Sequence, residues 1–244
     1  MNIRQMPSPN QRERYCKKTK KTFSPQIIVC HIMEGYYESG IGWLRNPASS
    51  ASAHFVVSKK GEISQLVDIL NMAWTQGVGV NPTNVIAKSK MPADPNAYCI
   101  SIENEGFYYE NKGALTEAQL AANIWLIGYI ISEVKRRFNV IIPADREHII
   151  GHYELCPLRK PNCPGQNFQW DKIINALNPA PVTAPTPSQT IYTVQNGDSL
   201  YKIAQKKEIY GNGNLYMKIY NANKSVIGNN PNNIKAGMKL VIPK

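Results

Sequence analysis

Residues Asn178 to Gln189 read NPAPVTAPTPSQ, with four prolines, no charge and no large apolar side chain. Such a segment supports neither a helix nor a central strand, and it favours an extended, semi-rigid connection. It divides the 244-residue chain into 1–178, a linker at 179–189, and 190–244. Both flanking pieces must then fold around their own cores. The hydrophobic fraction of 43% is sufficient for that. Charge is unevenly spread. Eight lysines against Asp198 and Glu208 give the short C-terminal piece +6, while the much longer first piece carries +5 of the total of +11. A basic chain points to a polyanionic partner, whether nucleic acid, an anionic membrane surface or an acidic cell wall.

In the first piece, Ile27 to Met33 (IIVCHIM) and Tyr98 to Glu103 (YCISIE) read as buried strands. His54 to Ser58 and Ile63 to Asp68 flank a glycine-containing turn and read as a hairpin. Thr116 to Phe138 reads as a helix. Thr116 and Gln119 form a capping box, and Leu120, Ile124, Ile127, Ile131, Val134 and Phe138 recur at helical spacing. Trp170 to Leu177 reads as a short closing helix. Strands interleaved with helices predict an α/β (α+β) domain with a mixed central sheet flanked by helices. In the second piece, strands at Ile191 to Val194 and Lys239 to Ile242 enclose helical stretches at Ser199 to Lys206 and Leu215 to Asn223, a βααβ order.

Of four histidines, His31 sits inside an apolar strand, where its ring nitrogens need partners. His152 ends HIIGH, and Cys163 follows eleven residues later in the proline-rich KPNCPG. Two imidazoles and a thiolate would make a three-ligand zinc site with an open fourth position. Spacing alone leaves a metal site and two satisfied histidines beside an inert thiol as even alternatives.

The words IIVCHIMEG, SAHFVVSKKGEISQLVD, AWTQG, CISIENEG and GHYELCPLRKPNCPG, in that order, resemble the type-2 N-acetylmuramoyl-L-alanine amidases, relatives of T7 lysozyme-like amidases and peptidoglycan-recognition proteins. The resemblance covers residues 20 to 177. It implies a zinc-dependent peptidoglycan hydrolase that cuts the amide between N-acetylmuramic acid and L-alanine. It implies one Zn2+ on His31, His152 and Cys163, with Glu103 as general base and Lys160, beside zinc, stabilising the oxyanion. Zinc brings the pKa of a bound water to about 7. Glu105 competes with Glu103 for the base, and Lys160 also reads as a solvated neighbour of Arg159. Many relatives have A-W-H-x-G where this chain has Ala73-Trp74-Thr75-Gln76-Gly77, so a substrate-contacting histidine is missing. That puts fine specificity in doubt, but not metal binding. Trp74 reads equally as cleft wall or core, and His54 reads first as a structural hydrogen-bonding residue and second as a substrate contact.

The second piece resembles LysM, through Asn196-Gly197-Asp198-Ser199-Leu200, Ile219-Tyr220-Asn221-Ala222-Asn223 and Gly237-Met238-Lys239-Leu240-Val241-Ile242-Pro243. That resemblance implies a groove for N-acetylglucosamine glycan, lined by Gly197, Asp198, Ser199, Leu200, Asn230, Pro231, Asn232 and Ile234. The expected partner is therefore peptidoglycan, through muropeptide and glycan. Nucleic acid is not expected, since no helix-turn-helix, zinc-finger spacing or RNA-binding word occurs. A non-catalytic peptidoglycan receptor on the same fold is the alternative, and the presence of Cys163 counts against it.

No apolar run is long enough to cross a membrane, so no membrane insertion is expected. Met1 to Phe23 is polar and basic and does not read as a Sec-type signal peptide. Five irregularly spaced cysteines argue for synthesis in a reducing cytoplasm. Action on the wall would then need release, as for a phage endolysin freed by a holin, with an autolysin exported by another route as the alternative.

Overall fold

The computed structural model describes residues 1–77, 79, 81–179 and 190–243. It divides into two compact units, Met1–Pro179 and Ala180–Lys244. Apart from Pro179, the expected linker lies outside the described residues.

The larger unit is built on a six-stranded sheet. Across it the order is Ile3–Gln5, Ile63–Gln65, Phe55–Val57, Cys99–Asn104, Ile27–Ile32, Ile149–Gly151. Phe55–Val57 and Ile63–Gln65 pair antiparallel, as the predicted hairpin requires, and every other pair is parallel. Gly61 closes that hairpin at φ +84, a conformation glycine adopts without a Cβ clash. The sheet is therefore mixed, as expected.

Side chains alternate across a sheet with period two. Ile28, Cys30, Ile100 and Ile102 point to one face and bury against Leu126, Ile127, Ile130 and Val134 of the helix Glu117–Phe138. Ile27, Val29, Cys99 and Ile150 point to the other face and pack with Met72, Tyr98 and Leu155. Each such fully buried aliphatic side chain contributes about 1.5–3 kcal/mol. His31 and Glu103 share the parity of Val29 and Ser101, so they project on the face away from the long helix.

Two expectations for that helix need correction. Thr116 caps it by accepting from the Gln119 N–H at 3.1 Å. The Gln119 side chain, however, does not return to close a capping box. It is buried and donates to Val57 O and Glu105 O. The buried stripe is also rotated relative to the expected one. Gln119, Ala122, Asn123, Leu126, Ile127, Ile130 and Val134 are buried, whereas Leu120, Ile124, Ile131 and Phe138 are partly exposed at its edge. Helical periodicity locates a stripe only to within about one position when apolar residues are this abundant.

The N-terminal 22 residues, which carried no predicted element, contribute four short strands. Ile3–Gln5 extends the sheet, Gln11–Glu13 pairs with Asn71–Ala73, and Tyr15–Cys16 pairs with Lys21–Thr22. Among the described residues no helix is long and apolar enough to cross a membrane.

The smaller unit pairs Thr190–Thr193 antiparallel with Lys239–Ile242. Between them lie helices Leu200–Gln205, Tyr216–Ala222 and Lys224–Ile227, the last of which was not expected. Its core gathers Val194, Leu200, Ile203, Ile219, Tyr220, Ile227, Leu240 and Ile242.

Candidate metal centre

In sheets with parallel strands, ligand sites form at the carboxyl ends of the strands. Three neighbouring parallel strands end together here. His31 is the penultimate residue of Ile27–Ile32, and Glu103 is the penultimate residue of Cys99–Asn104. The two are direct register partners. His152 follows immediately after Ile149–Gly151, whose Gly151 lies beside Cys30. The loop carrying Cys163 is fixed to the His152 turn by a bond from the Tyr153 N–H to Cys163 O of 3.0 Å.

One ligand atom each from His31, His152 and Cys163 lie within 4.8 Å of one another. The His31 Nδ1 is 3.8 Å from Cys163 Sγ and 3.8 Å from Glu103 Oε1. The His31 and His152 rings meet edge to face at 4.5 Å between centroids. His152 Nε2 lies 3.1 Å from Gln76 O. A carbonyl only accepts, so that nitrogen carries the proton and Nδ1 is left bare.

Both rings are held neutral. Burial, then the charges of His152 and Lys160, put His31 well below its ordinary range, with Gln76 pulling the other way. Burial likewise brings His152 down to about 4, despite its bond to Gln76, and Lys160 lowers it further. Burial raises Cys163, which Glu103 reinforces, and it raises Glu103 to about 8 against the pull of Lys160. His31 Nε2 and Glu103 Oε2 are buried with no hydrogen-bond partner. Leaving such atoms unpaired costs about 1–3 kcal/mol each. Two neutral imidazoles and a thiol beside a half-buried carboxylate fit a tetrahedral divalent cation, which would draw the proton from the thiol and stabilise the carboxylate.

Glu103 and Glu105 are separated clearly. The Glu105 carboxylate accepts from the Lys59 N–H at 2.7 Å, whereas Glu103 faces His31. Lys160 lines a cleft of about 310 Å³ with Thr75, Gln76, Gly77, His152, Cys156 and Arg159. A cavity of about 430 Å³ meets it at Gly77.

His54 is 1% exposed. Its ring lies against Arg14 Nη2 (2.9 Å), Ser101 Oγ (3.0 Å) and Asn71 O (3.1 Å). Burial and Arg14 hold it well below the usual range, so it is a neutral interior residue, linked to the cleft through the Ser101–Thr75 hydroxyl pair at 2.8 Å. Trp74 is half-buried, and its Nε1 has no partner. Sequence reasoning missed Arg14, which donates to Ile69 O, Ala97 O and Cys99 O. It also missed Asn96, whose Oδ1 accepts from the Thr75 and Gln76 N–H groups at 3.0 and 2.8 Å. No spacing in the chain marks either residue.

Residues 21–166 match the family model for N-acetylmuramoyl-L-alanine amidase. The chain belongs to this family. N-acetylmuramoyl-L-alanine amidase A of Achromobacter lyticus is 27% identical over 165 residues, 62% of this chain and 82% of that protein. The 1,6-anhydro-N-acetylmuramyl-L-alanine amidase AmpD of Haemophilus influenzae is 31% identical over 126 residues, 52% of this chain and 58% of that one. A crystal structure of a selenomethionine AmpD derivative superposes with a TM-score of 0.51 at 22% identity, covering 72% of this chain and 94% of that one, which shows the shared fold. The N-terminal strands up to Lys20 precede the matched amidase segment, so Arg14 comes from outside it.

Residues 192–243 match the LysM domain model. In that unit several expected glycan contacts have structural duties. Burial pushes the Asp198 carboxyl up, but the Gln195 N–H, the Tyr192 hydroxyl and Lys206 outweigh it and hold it below the usual range. Ser199 caps the helix Leu200–Gln205 by accepting from the Lys202 N–H. Leu200 is buried in the core and Ile234 packs at its edge. Asn230 Oδ1 accepts from the Asn232 N–H at 2.9 Å, forming a turn through Pro231. Gly197 adopts φ +83, and its carbonyl accepts from Lys202 Nζ.

Proposed function

We propose that the chain hydrolyses the amide between the lactyl carbonyl of N-acetylmuramic acid and the L-alanine of peptidoglycan, with one zinc ion held by His31, His152 and Cys163. The observation that carries this reading is the meeting of those three side chains beside Glu103, whose Oε2 is buried. When bound, zinc supplies Lewis acidity towards the carbonyl oxygen and towards water.

The remaining chemistry belongs to the protein. Glu103 takes the proton of the attacking water and passes it to the departing amine of alanine. Lys160, at the rim of the cleft, places positive charge where the carbonyl oxygen becomes an oxyanion. The Cys163 loop, tied to the His152 turn, and the buried histidines hold the site ready before substrate arrives, so little reorganisation is needed.

The second unit, with boundaries at 190 and 244, is proposed to hold N-acetylglucosamine-containing glycan at residues 197–200 and 230–234. Backbone groups of these glycine- and asparagine-rich turns supply the polar contacts. Tethered through 179–189, it raises the concentration of wall at the catalytic unit.

Mass spectrometry of digested cell wall tests the reaction. A new alanine amino terminus, absent when EDTA is added, is the expected result. A new reducing sugar end rejects the amidase, and wall binding without clearing favours a receptor.

A further inference from the structure

Gln76 meets the Nε2 of His152 through its main chain, and its side chain acts on the His31 ring as well. Its backbone carbonyl takes the proton of His152 Nε2 at 3.1 Å. Its backbone N–H is already used by Asn96. Its side-chain oxygen, in a residue 2% exposed, is buried with no partner. His31 has the complementary defect. Its Nδ1 faces Cys163 and Glu103, while Nε2 is buried with no partner in a residue also 2% exposed. An imidazole that ligates through Nδ1 must carry its proton on Nε2, and a buried N–H needs an acceptor.

We infer that Gln76 is a positioning residue for the metal centre, accepting the Nε2–H of His152 on its main-chain oxygen and that of His31 on its side-chain oxygen, so that one residue fixes the tautomer of both ligands. The inference rests on the proposed metal site and deepens it. With its proton on Nε2, His31 would present a donor to the side-chain oxygen of Gln76. The asymmetry between main-chain and side-chain contacts also makes the idea separable by mutation. Gln76→Met keeps the length and the main-chain carbonyl but removes the side-chain acceptor. Gln76→Glu restores an acceptor at the same place.

The test is the zinc Kd of the full chain, measured by competition with a chromophoric chelator, alongside the Tm of each metal-free variant. Gln76→Met is expected to weaken zinc binding about tenfold or more. Gln76→Glu is expected to stay within about threefold of the wild type, and both metal-free Tm values to stay close to wild type. In the cobalt-substituted protein, Gln76→Met should also shift the visible ligand-field band, whereas Gln76→Glu should restore it. A Gln76→Met protein that binds zinc as tightly as the wild type overturns the inference, as does a Gln76→Glu protein that binds as weakly as Gln76→Met. A wild-type chain that binds no zinc overturns the metal centre itself, which is a distinct result.

Discussion

Two buried amides, Gln76 in the larger unit and Asn223 in the smaller, show how differently the two parts use polar groups. Asn223 is 2% exposed and fully bonded. It donates to Ile219 O and Val241 O at 2.8 and 2.7 Å and accepts from the Val241 N–H at 2.7 Å, tying a helix to a strand. Gln76 is equally buried, yet its side-chain oxygen has no partner. The same is true of His31 Nε2, Trp74 Nε1 and Glu103 Oε2. A satisfied interior amide is architecture, whereas a group of unsatisfied ones at converging strand ends is a site prepared for something the chain alone does not supply.

The contrast breaks most readily at the ligands. His152→Ala should abolish tight zinc binding and lower wall hydrolysis by about a thousandfold or more, since a metal held there would contribute several kcal/mol of transition-state stabilisation. Zinc analysis paired with a release assay reads both effects. Retained activity would make the cluster mere packing, like Asn223. Next in size, Glu103→Gln should cost about 10²–10⁴ in rate, as expected for loss of a general base, while zinc content stays at one per chain. A variant that loses its zinc instead would move Glu103 from chemistry to ligation.

On the other side, Asn223→Ala should destabilise the smaller unit by about 2–4 kcal/mol by orphaning strand and helix groups. Calorimetry should show this with no change in rate on a soluble muropeptide. A rate change would mean that the two units do not divide the work as proposed.

The smallest effect concerns the metal-free protein. Glu103 sits at about 8 against an ordinary 4.5. The folded state keeps a proton that the unfolded chain has released, so a contribution present below pH 4.5 is lost as pH rises through 8. His152 works in the opposite sense, its contribution being present above 6.5 and lost as pH falls through 4. Between pH 6.5 and 8, of these two groups only Glu103 still changes. The Tm of the EDTA-treated protein should fall over that interval, and Glu103→Gln should flatten the fall. An unchanged slope would place Glu103 in a more polar setting than its burial implies.

Much of this was legible in the sequence because it is written in local signals. The strand holding His31, the strand holding Glu103, the hairpin and the two late helices all announce themselves by periodicity or turn residues. The order of the strands in the sheet does not, because parallel neighbours are joined through distant crossovers. The four N-terminal strands were invisible because they are two or three residues long and mostly polar. Residue types and spacing left the candidate ligands as an even alternative to inert residues, since His31 and Cys163 are 132 positions apart, and the resemblance tipped that balance. Gln76 was illegible altogether. The AWTQG word drew attention to the histidine it lacks, whereas what matters at Gln76 is a main-chain carbonyl and an unpaired amide oxygen, neither of which has a sequence signature.

X-ray absorption at the zinc K-edge of the zinc-loaded chain reads the proposed ligand set itself. Nitrogen scatterers at about 2.0–2.1 Å from two imidazoles and one sulfur at about 2.3 Å are expected, the sulfur vanishing in Cys163→Ser. A shell of nitrogen and oxygen with no sulfur in the wild type would contradict it.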